Sequence, residues 1–70
     1  MAASISFTVN GENAEAPEGL TLAGWLDSLG RDPRTVAIER NGALVPRAAF
    51  GATPLLSGDR LELVQFVQGG

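Results

Sequence analysis

The 70-residue sequence contains no cysteine, no histidine and no lysine, and these absences exclude much of the chemistry available to a small protein. Without cysteine and histidine, the chain has no disulfides, no zinc site of the Cys/His kind, and no thiol or imidazole for catalysis. Without lysine, copies of the chain cannot be joined into lysine-linked polymers. We therefore expect neither a self-contained enzyme nor a bound cofactor.

Long apolar runs and nucleotide-binding motifs are also missing. No segment approaches the roughly 20 apolar residues of a membrane span, and residues 1–9 lack the pattern of a signal peptide. No Gly-rich phosphate loop, dinucleotide fingerprint or calcium loop is present. The net charge is −3 and the five arginines are scattered, which disfavours nucleic acid and membrane as partners. We expect a cytoplasmic protein that is a monomer when free and whose partners are proteins.

What remains is an ordinary globular composition, with 44% hydrophobic and 19% charged residues, enough for one small domain. Apolar and polar residues alternate over residues 4–10, which predicts a half-buried strand. Asn10-Gly11 supplies the positive-φ pair of a type I′ hairpin turn, so residues 12–16 should return antiparallel until Pro17 ends the ladder. We interpret the glutamates of this second strand as a solvated sheet edge.

A helical spacing follows from residue 20. Apolar residues recur at i, i+3, i+4 and i+7, which predicts one stripe facing a core. The members of this stripe are Leu22, Trp25, Leu26 and Leu29. Thr21 is the expected N-cap, and Gly30 stands at the C′ position that lets a helix end.

The second half of the chain again shows strand patterns. Residues 36–40 and 43–45 flank Asn41-Gly42, a second hairpin signal, and residues 60–66 form the last predicted strand. Thr53-Pro54 has the pattern of an N-cap followed by the first position of a single helical turn. Apolar residues around this turn are expected to close the base of the core: Phe50, Leu55 and Leu56.

This order of elements predicts an α+β protein with a mixed four- to five-stranded sheet packed on one helix, the β-grasp arrangement. The first and last strands would lie parallel at the centre of the sheet, with a right-handed crossover through the helix. Only one face of the sheet would then be covered. Val64 and Phe66 would lie on the open face, where exposed apolar residues indicate a docking patch for a partner. The alternative interpretation is that Phe66 folds over an edge of the sheet.

The chain ends in Gly69-Gly70, a pair expected by chance at a given place in roughly 0.5% of chains. Such an end presents an unhindered carboxylate and is slim enough to enter a narrow channel. A frayed terminus is the alternative interpretation. We expect a folded domain at residues 1–66 and a flexible tail at residues 67–70.

Taken together, these segments resemble the ThiS family, the small bacterial sulfur carriers of thiamine biosynthesis. The resemblance covers nearly the whole chain. It depends on five stretches: Thr8-Val9-Asn10-Gly11-Glu12, Val36-Ala37-Ile38-Glu39-Arg40-Asn41-Gly42, Val45-Pro46-Arg47, Gly58-Asp59-Arg60-Leu61-Glu62 and Phe66-Val67-Gln68-Gly69-Gly70. One departure is Gln68, where the family commonly has a third glycine.

The resemblance implies a β-grasp fold and a role as a protein substrate. An ATP-dependent, E1-like partner would adenylate the Gly70 carboxylate, and sulfur would replace AMP to leave a C-terminal thiocarboxylate. A thiazole synthase would then receive the sulfur. Gly69 would thread the partner's channel, and we assign docking contacts to Val64, Phe66 and Val67.

Three other functions stay open at the level of the sequence. The related molybdopterin-pathway carriers also end in Gly-Gly, although the Pro-rich approach that they usually show is absent here. A ubiquitin-like modifier would be attached to its targets through Gly70. A plain β-grasp interaction module would make no use of its tail.

Overall fold

The computed structural model describes residues 3–66, which build a five-stranded mixed sheet against an α-helix. The elements in chain order are β1 (Ser4–Val9), β2 (Glu12–Pro17), α1 (Leu22–Ser28), β3 (Val36–Arg40), β4 (Ala43–Val45) and β5 (Arg60–Gln65). The sheet order is β2-β1-β5-β3-β4, and the central pair β1 and β5 is parallel while the other pairs are antiparallel. The mixed sheet and its parallel centre, predicted from the sequence, are confirmed.

Both hairpin turns have the backbone that their sequences predict. Asn10 and Gly11 have φ values of 52° and 82°, and Asn41 and Gly42 have φ values of 53° and 88°. Two successive positive φ values define the type I′ turn, whose twist matches that of the strands it joins. The register of the β1–β2 and β3–β4 pairs is set by these turns.

The helix begins and ends as predicted, with Thr21 as N-cap and Gly30 at C′, but the last residue of its apolar stripe is exposed. The Thr21 hydroxyl accepts a hydrogen bond from the Gly24 N–H at 3.1 Å, which makes Thr21 the N-cap. Ser28 is the last helical residue, and Gly30 follows with a φ of 71°. Leu29 is therefore the C-cap and is 49% exposed. The prediction that Leu29 faces the core is wrong, because as the C-cap it lies beyond the helical turns that pack on the sheet.

The core lies between α1 and the inner face of the sheet. Phe7 on β1 and Trp25 on α1 meet edge to face, with ring centroids 5.7 Å apart and an interplanar angle of 85°, a favoured aromatic geometry. The buried apolar residues are Ile5, Phe7, Ala16, Leu22, Trp25, Leu26, Val36, Ile38, Phe50, Leu55 and Leu61. Within residues 3–66, no helix is long and apolar enough to cross a membrane.

The prediction of a helical turn starting at Thr53 is wrong. A 3₁₀ helix occupies Arg47–Ala52 instead, and the Thr53 hydroxyl donates back to the Ala49 carbonyl at 2.7 Å, so it closes this helix rather than beginning another. Phe50 and Leu55 are buried as expected. Leu56 is 50% exposed and does not close the core.

Candidate functional site

The site begins where β5 approaches the tail, at Gln65 and Phe66, which we call the tail root. The Phe66 N–H donates to the Thr35 carbonyl at 2.8 Å, one step beyond the end of β5. The Arg31 guanidinium donates to the side-chain oxygen of Gln65. The tail root is thus held by the loop between α1 and β3. These two contacts hold the end of β5 against that loop.

Asn10 extends the pairing between the two central strands. Its side-chain amide donates to the Leu63 carbonyl at 3.2 Å and accepts from the Leu63 N–H at 2.9 Å. The side chain therefore takes the place of a backbone residue after β1 has ended at Val9. The sequence identified Asn10 as a turn residue, but no local signal pointed to a partner 53 positions away.

The open face of the sheet carries an apolar patch, defined by Ala37, Leu44, Val64 and Phe66. Val64 is 54% exposed, Phe66 49% and Leu44 68%. Val64 lies opposite Ala37 in the β3–β5 ladder. Phe66 lines a groove of about 160 Å³, together with Leu44 and Ala37 among others. The structure places Val64 on the predicted face, and Phe66 is exposed as predicted, in a groove that the buried Val36 and Phe50 also line.

A buried carboxylate fixes the start of β5. Asp59 is 5% exposed and accepts hydrogen bonds from the Arg40 guanidinium at 3.0 Å, the Asn41 amide at 3.2 Å and the Leu56 N–H at 2.9 Å. These contacts link the loop before β5 to the β3–β4 hairpin. The sequence indicated only a turn at Gly58-Asp59, so this network was missed.

An exposed ion pair stabilises the segment that holds the tail root. Asp32 caps the 3₁₀ helix Pro33–Thr35 by accepting from the Arg34 N–H at 2.9 Å, and it pairs with the Arg34 guanidinium at 2.8 Å. The side-chain hydrogen bond from Arg34, followed by that from its backbone N–H, lowers the pKa of Asp32 to about 2. This helix ends at Thr35, the residue that binds Phe66.

The other predicted site residues, Val67, Gly69 and Gly70, lie outside the described residues. Within residues 3–66, no three acidic side chains come close enough together to hold a metal ion. The described part of the site therefore consists of a surface and a fixed tail root. Such an arrangement can orient a chain end and bind a partner.

Comparison with known proteins places this geometry in a family. The model of the ThiS family matches residues 4–70. The crystal structure of the thiamine biosynthesis protein ThiS from Geobacter metallireducens superimposes with a TM-score of 0.75 at 33% identity, covering 94% of this chain and 100% of that one.

Two curated relatives are thiazole synthases. That of Magnetococcus marinus is 47% identical over 62 residues, which is 89% of this chain and 19% of the relative. That of Paramagnetospirillum magneticum is 36% identical over 66 residues, which is 94% of this chain and 20% of the relative. The chain thus spans about a fifth of the length of these relatives.

Proposed function

The chain belongs to the ThiS family, and from this premise we propose that it is a sulfur carrier of thiamine biosynthesis whose Gly70 carboxylate is adenylated and then converted to a thiocarboxylate. The observation that carries the proposal is the family match over residues 4–70, which includes the Gly-Gly end. The likeness to the Geobacter metallireducens protein over 94% of the chain supports it.

The chemistry follows from the weakness of a carboxylate as an electrophile. A partner enzyme would join the Gly70 carboxylate to the α-phosphate of ATP, which releases pyrophosphate and gives an acyl adenylate. A sulfur nucleophile would then attack the carbonyl carbon, and the C–O bond to AMP would break. If the nucleophile is a donor's persulfide, a thiol would then break the S–S bond of the acyl disulfide and form a new disulfide with the donor, and the chain would end in a thiocarboxylate. The carrier contributes position, and the partner contributes catalysis.

The tail suits this role by its length and slimness. Four extended residues after Phe66 span about 13 Å, enough to carry a terminus away from the domain and into a partner. Glycine at positions 69 and 70 adds no side chain to obstruct a narrow channel. Gln68 is the widest residue near the end, and we propose that the partner's channel accommodates it.

The surface beside the tail would supply recognition. We assign docking of the adenylating enzyme to the exposed Val64 and Phe66, with Val67 as a further contact. The likeness to segments of two thiazole synthases supports a thiazole synthase as the partner that receives the sulfur. On this proposal the chain acts in the cytoplasm as a monomeric protein substrate rather than as an enzyme.

Deletion of Gly70 tests this proposal. The variant should lose ATP-dependent release of pyrophosphate with the purified adenylating enzyme, because the end that reacts is one residue short. Its thermal unfolding midpoint should match that of the wild type. The control is Gly51→Ala, at an exposed glycine with no neighbour within 4 Å of an added Cβ. Full pyrophosphate release by the deletion variant would contradict the proposal.

A further inference from the structure

A second surface lies beside the tail root, on the face of the sheet that carries the helix. It is a groove of about 360 Å³ between the tip of the β1–β2 hairpin, the end of α1 and β5. Its apolar lining residues are Val9, Ala14, Trp25, Leu29 and Leu63. Leu29 contributes a side chain that is 49% exposed. The groove therefore offers apolar surface on the side opposite to the apolar patch, and Glu12, Glu15 and Arg31 also line it.

In the described part of the chain, the β1-facing edge of β5 has no strand beside it at Gln65, above this groove. Even-numbered residues of β5 bond toward β3, as shown by the bond from the Asn41 N–H to the Arg60 carbonyl. Odd-numbered residues bond toward β1, as shown by the bond from the Asn10 N–H to the Leu61 carbonyl. By the same alternation, the N–H and C=O of Gln65 point toward the β1 side.

No strand lies on that side of Gln65 in the described part of the chain. β1 ends at Val9, whose partner on β5 is Leu61, and the Asn10 side chain extends the pairing only to Leu63. The result is a gap in the sheet beside Gln65, which we call the notch. The Asn10 side chain ends the pairing before it, and the Arg31 guanidinium contacts the Gln65 side chain. Among the hydrogen bonds that residues 3–66 form outside the strand ladders, none is donated by the Gln65 N–H, and the ladder to β3 lies on the other side of this residue.

We propose that this notch receives an extended segment of the adenylating partner, which adds a short strand beside residues 63–65 and places an apolar side chain in the groove. This inference rests on the proposed function. In strand addition, main-chain hydrogen bonds give affinity and pockets for alternate side chains give specificity. The Gln65 backbone would supply a main-chain hydrogen bond, and the groove would supply a side-chain pocket.

The position of the notch identifies the occupant. Gln65 is two residues before Val67, so a partner that encloses residues 67–70 would lie within reach of the notch. The apolar patch lies on one face of β5 and the groove on the other, so a partner strand in the notch would continue the sheet between them. The partner would then hold β5 from both faces, and the tail would enter the channel in one orientation.

A pair of substitutions at Gln65 tests the backbone contact. Gln65→Pro removes the N–H that faces the notch, while the ladder to β3 uses the neighbours of this residue and is retained. Gln65→Ala keeps the N–H and removes only the side chain that Arg31 contacts. We expect Gln65→Pro to bind the purified adenylating enzyme about tenfold more weakly than Gln65→Ala, the effect of one interfacial hydrogen bond. Their thermal midpoints should agree.

A second pair tests the groove. Leu29→Glu places a charge on its lining, and Leu56→Glu is the matched control, since Leu56 is 50% exposed and does not line the groove. Only Leu29→Glu should weaken binding, by tenfold or more. Equal binding within both pairs of variants would overturn the inference. Faster exchange of the Gln65 amide hydrogen in the free protein after deletion of residues 67–70 would also overturn it, because the chain's own tail would then occupy the notch.

Pyrophosphate release in the same samples separates this inference from the proposed function. If the wild type releases pyrophosphate and all four variants bind equally well, the inference is wrong and the proposed function stands. If binding depends on the notch but the wild type releases no pyrophosphate, the proposed function is wrong and the strand contact stands. A wild type that neither binds nor reacts overturns both.

Discussion

At the scale of single residues, Asp59 is the polar group on which the start of β5 depends. Its carboxylate is buried and accepts from Arg40, Asn41 and the Leu56 N–H. The Arg40 side chain is 24% exposed, so it would be left largely buried and unpaired without Asp59. Removing the Asp59 carboxylate is costly because its three partners lose hydrogen bonds that water cannot fully replace at a buried site.

Asp59→Ala should therefore lower the free energy of unfolding by about 2–4 kcal/mol, measured by urea denaturation. The control is Asp27→Ala, at an exposed position of α1. This substitution should change the free energy of unfolding by less than about 0.5 kcal/mol. Equal effects of the two substitutions would show that the buried network does not hold the loop before β5.

Asp32 gives a prediction about pH. Hydrogen bonds from Arg34 lower its folded-state pKa from 3.8 to about 2, so the folded protein favours the charged carboxylate. The resulting stabilisation is fully present above the unfolded pKa and is lost as the pH falls from about 4 to about 2. Because the pair is exposed, the effect is small and screened by salt.

The urea midpoints of the wild type and Asp32→Asn should therefore differ above pH 4.5 and converge as the pH approaches 2. Measurements at several pH values in low salt check this. A difference that persists unchanged at pH 2 would mean that the charge of Asp32 does not contribute, and that the side chain acts only as a neutral cap.

Among single residues, those whose role is local were predictable and those with distant partners were not. Thr21 was predicted as an N-cap because its partner, Gly24, is three residues away. Asn10 and Asp59 were predicted as turn residues, yet both also bind groups far along the chain. The spacing of residues along the sequence does not indicate such contacts, because they depend on which strands the fold brings together.

At the scale of elements, β5 presents apolar side chains to both faces of the sheet, and only one face belongs to the core. Leu61 is fully buried, whereas Val64 is 54% exposed. The alternation of the strand predicted this division. The two phenylalanines of the second half of the chain differ in the same way, since Phe50 is 3% exposed and Phe66 is 49% exposed.

Phe50→Ala should lower the free energy of unfolding by about 3–5 kcal/mol, because it opens a cavity in the core. Phe66→Ala should cost less than half as much and should weaken binding to the adenylating enzyme instead. Urea denaturation and a binding titration on both variants check this. A cost for Phe66→Ala equal to that for Phe50→Ala would place Phe66 in the core and remove it from the docking surface.

The sequence patterns did not predict the element that lacks a regular spacing of apolar residues. The 3₁₀ helix Arg47–Ala52 has small residues at most positions, so no apolar spacing marks it. Thr53-Pro54 suggested a helix start, but the Thr53 hydroxyl is already used by the preceding turn. The hairpins were predicted correctly because Asn-Gly pairs require a backbone that few other sequences adopt.

In the molecule as a whole, the sheet and the loop after α1 hold the C-terminal end of β5 in place. The loop after α1 binds the tail root through Arg31 and Thr35, and the apolar patch lies on the adjacent open face. The sequence predicted the fold and the exposure of Val64 and Phe66. It could not predict the notch, since this depends on where β1 and β5 end relative to one another.

The proposed function requires Gly70 to carry sulfur as a thiocarboxylate. The direct test is the intact mass of the chain after incubation with the purified adenylating enzyme, ATP and a sulfur donor. We predict a mass gain equal to the exchange of one oxygen for one sulfur, absent when ATP is left out. Conjugates of the chain with other proteins, or an unchanged mass under these conditions, would contradict the claim.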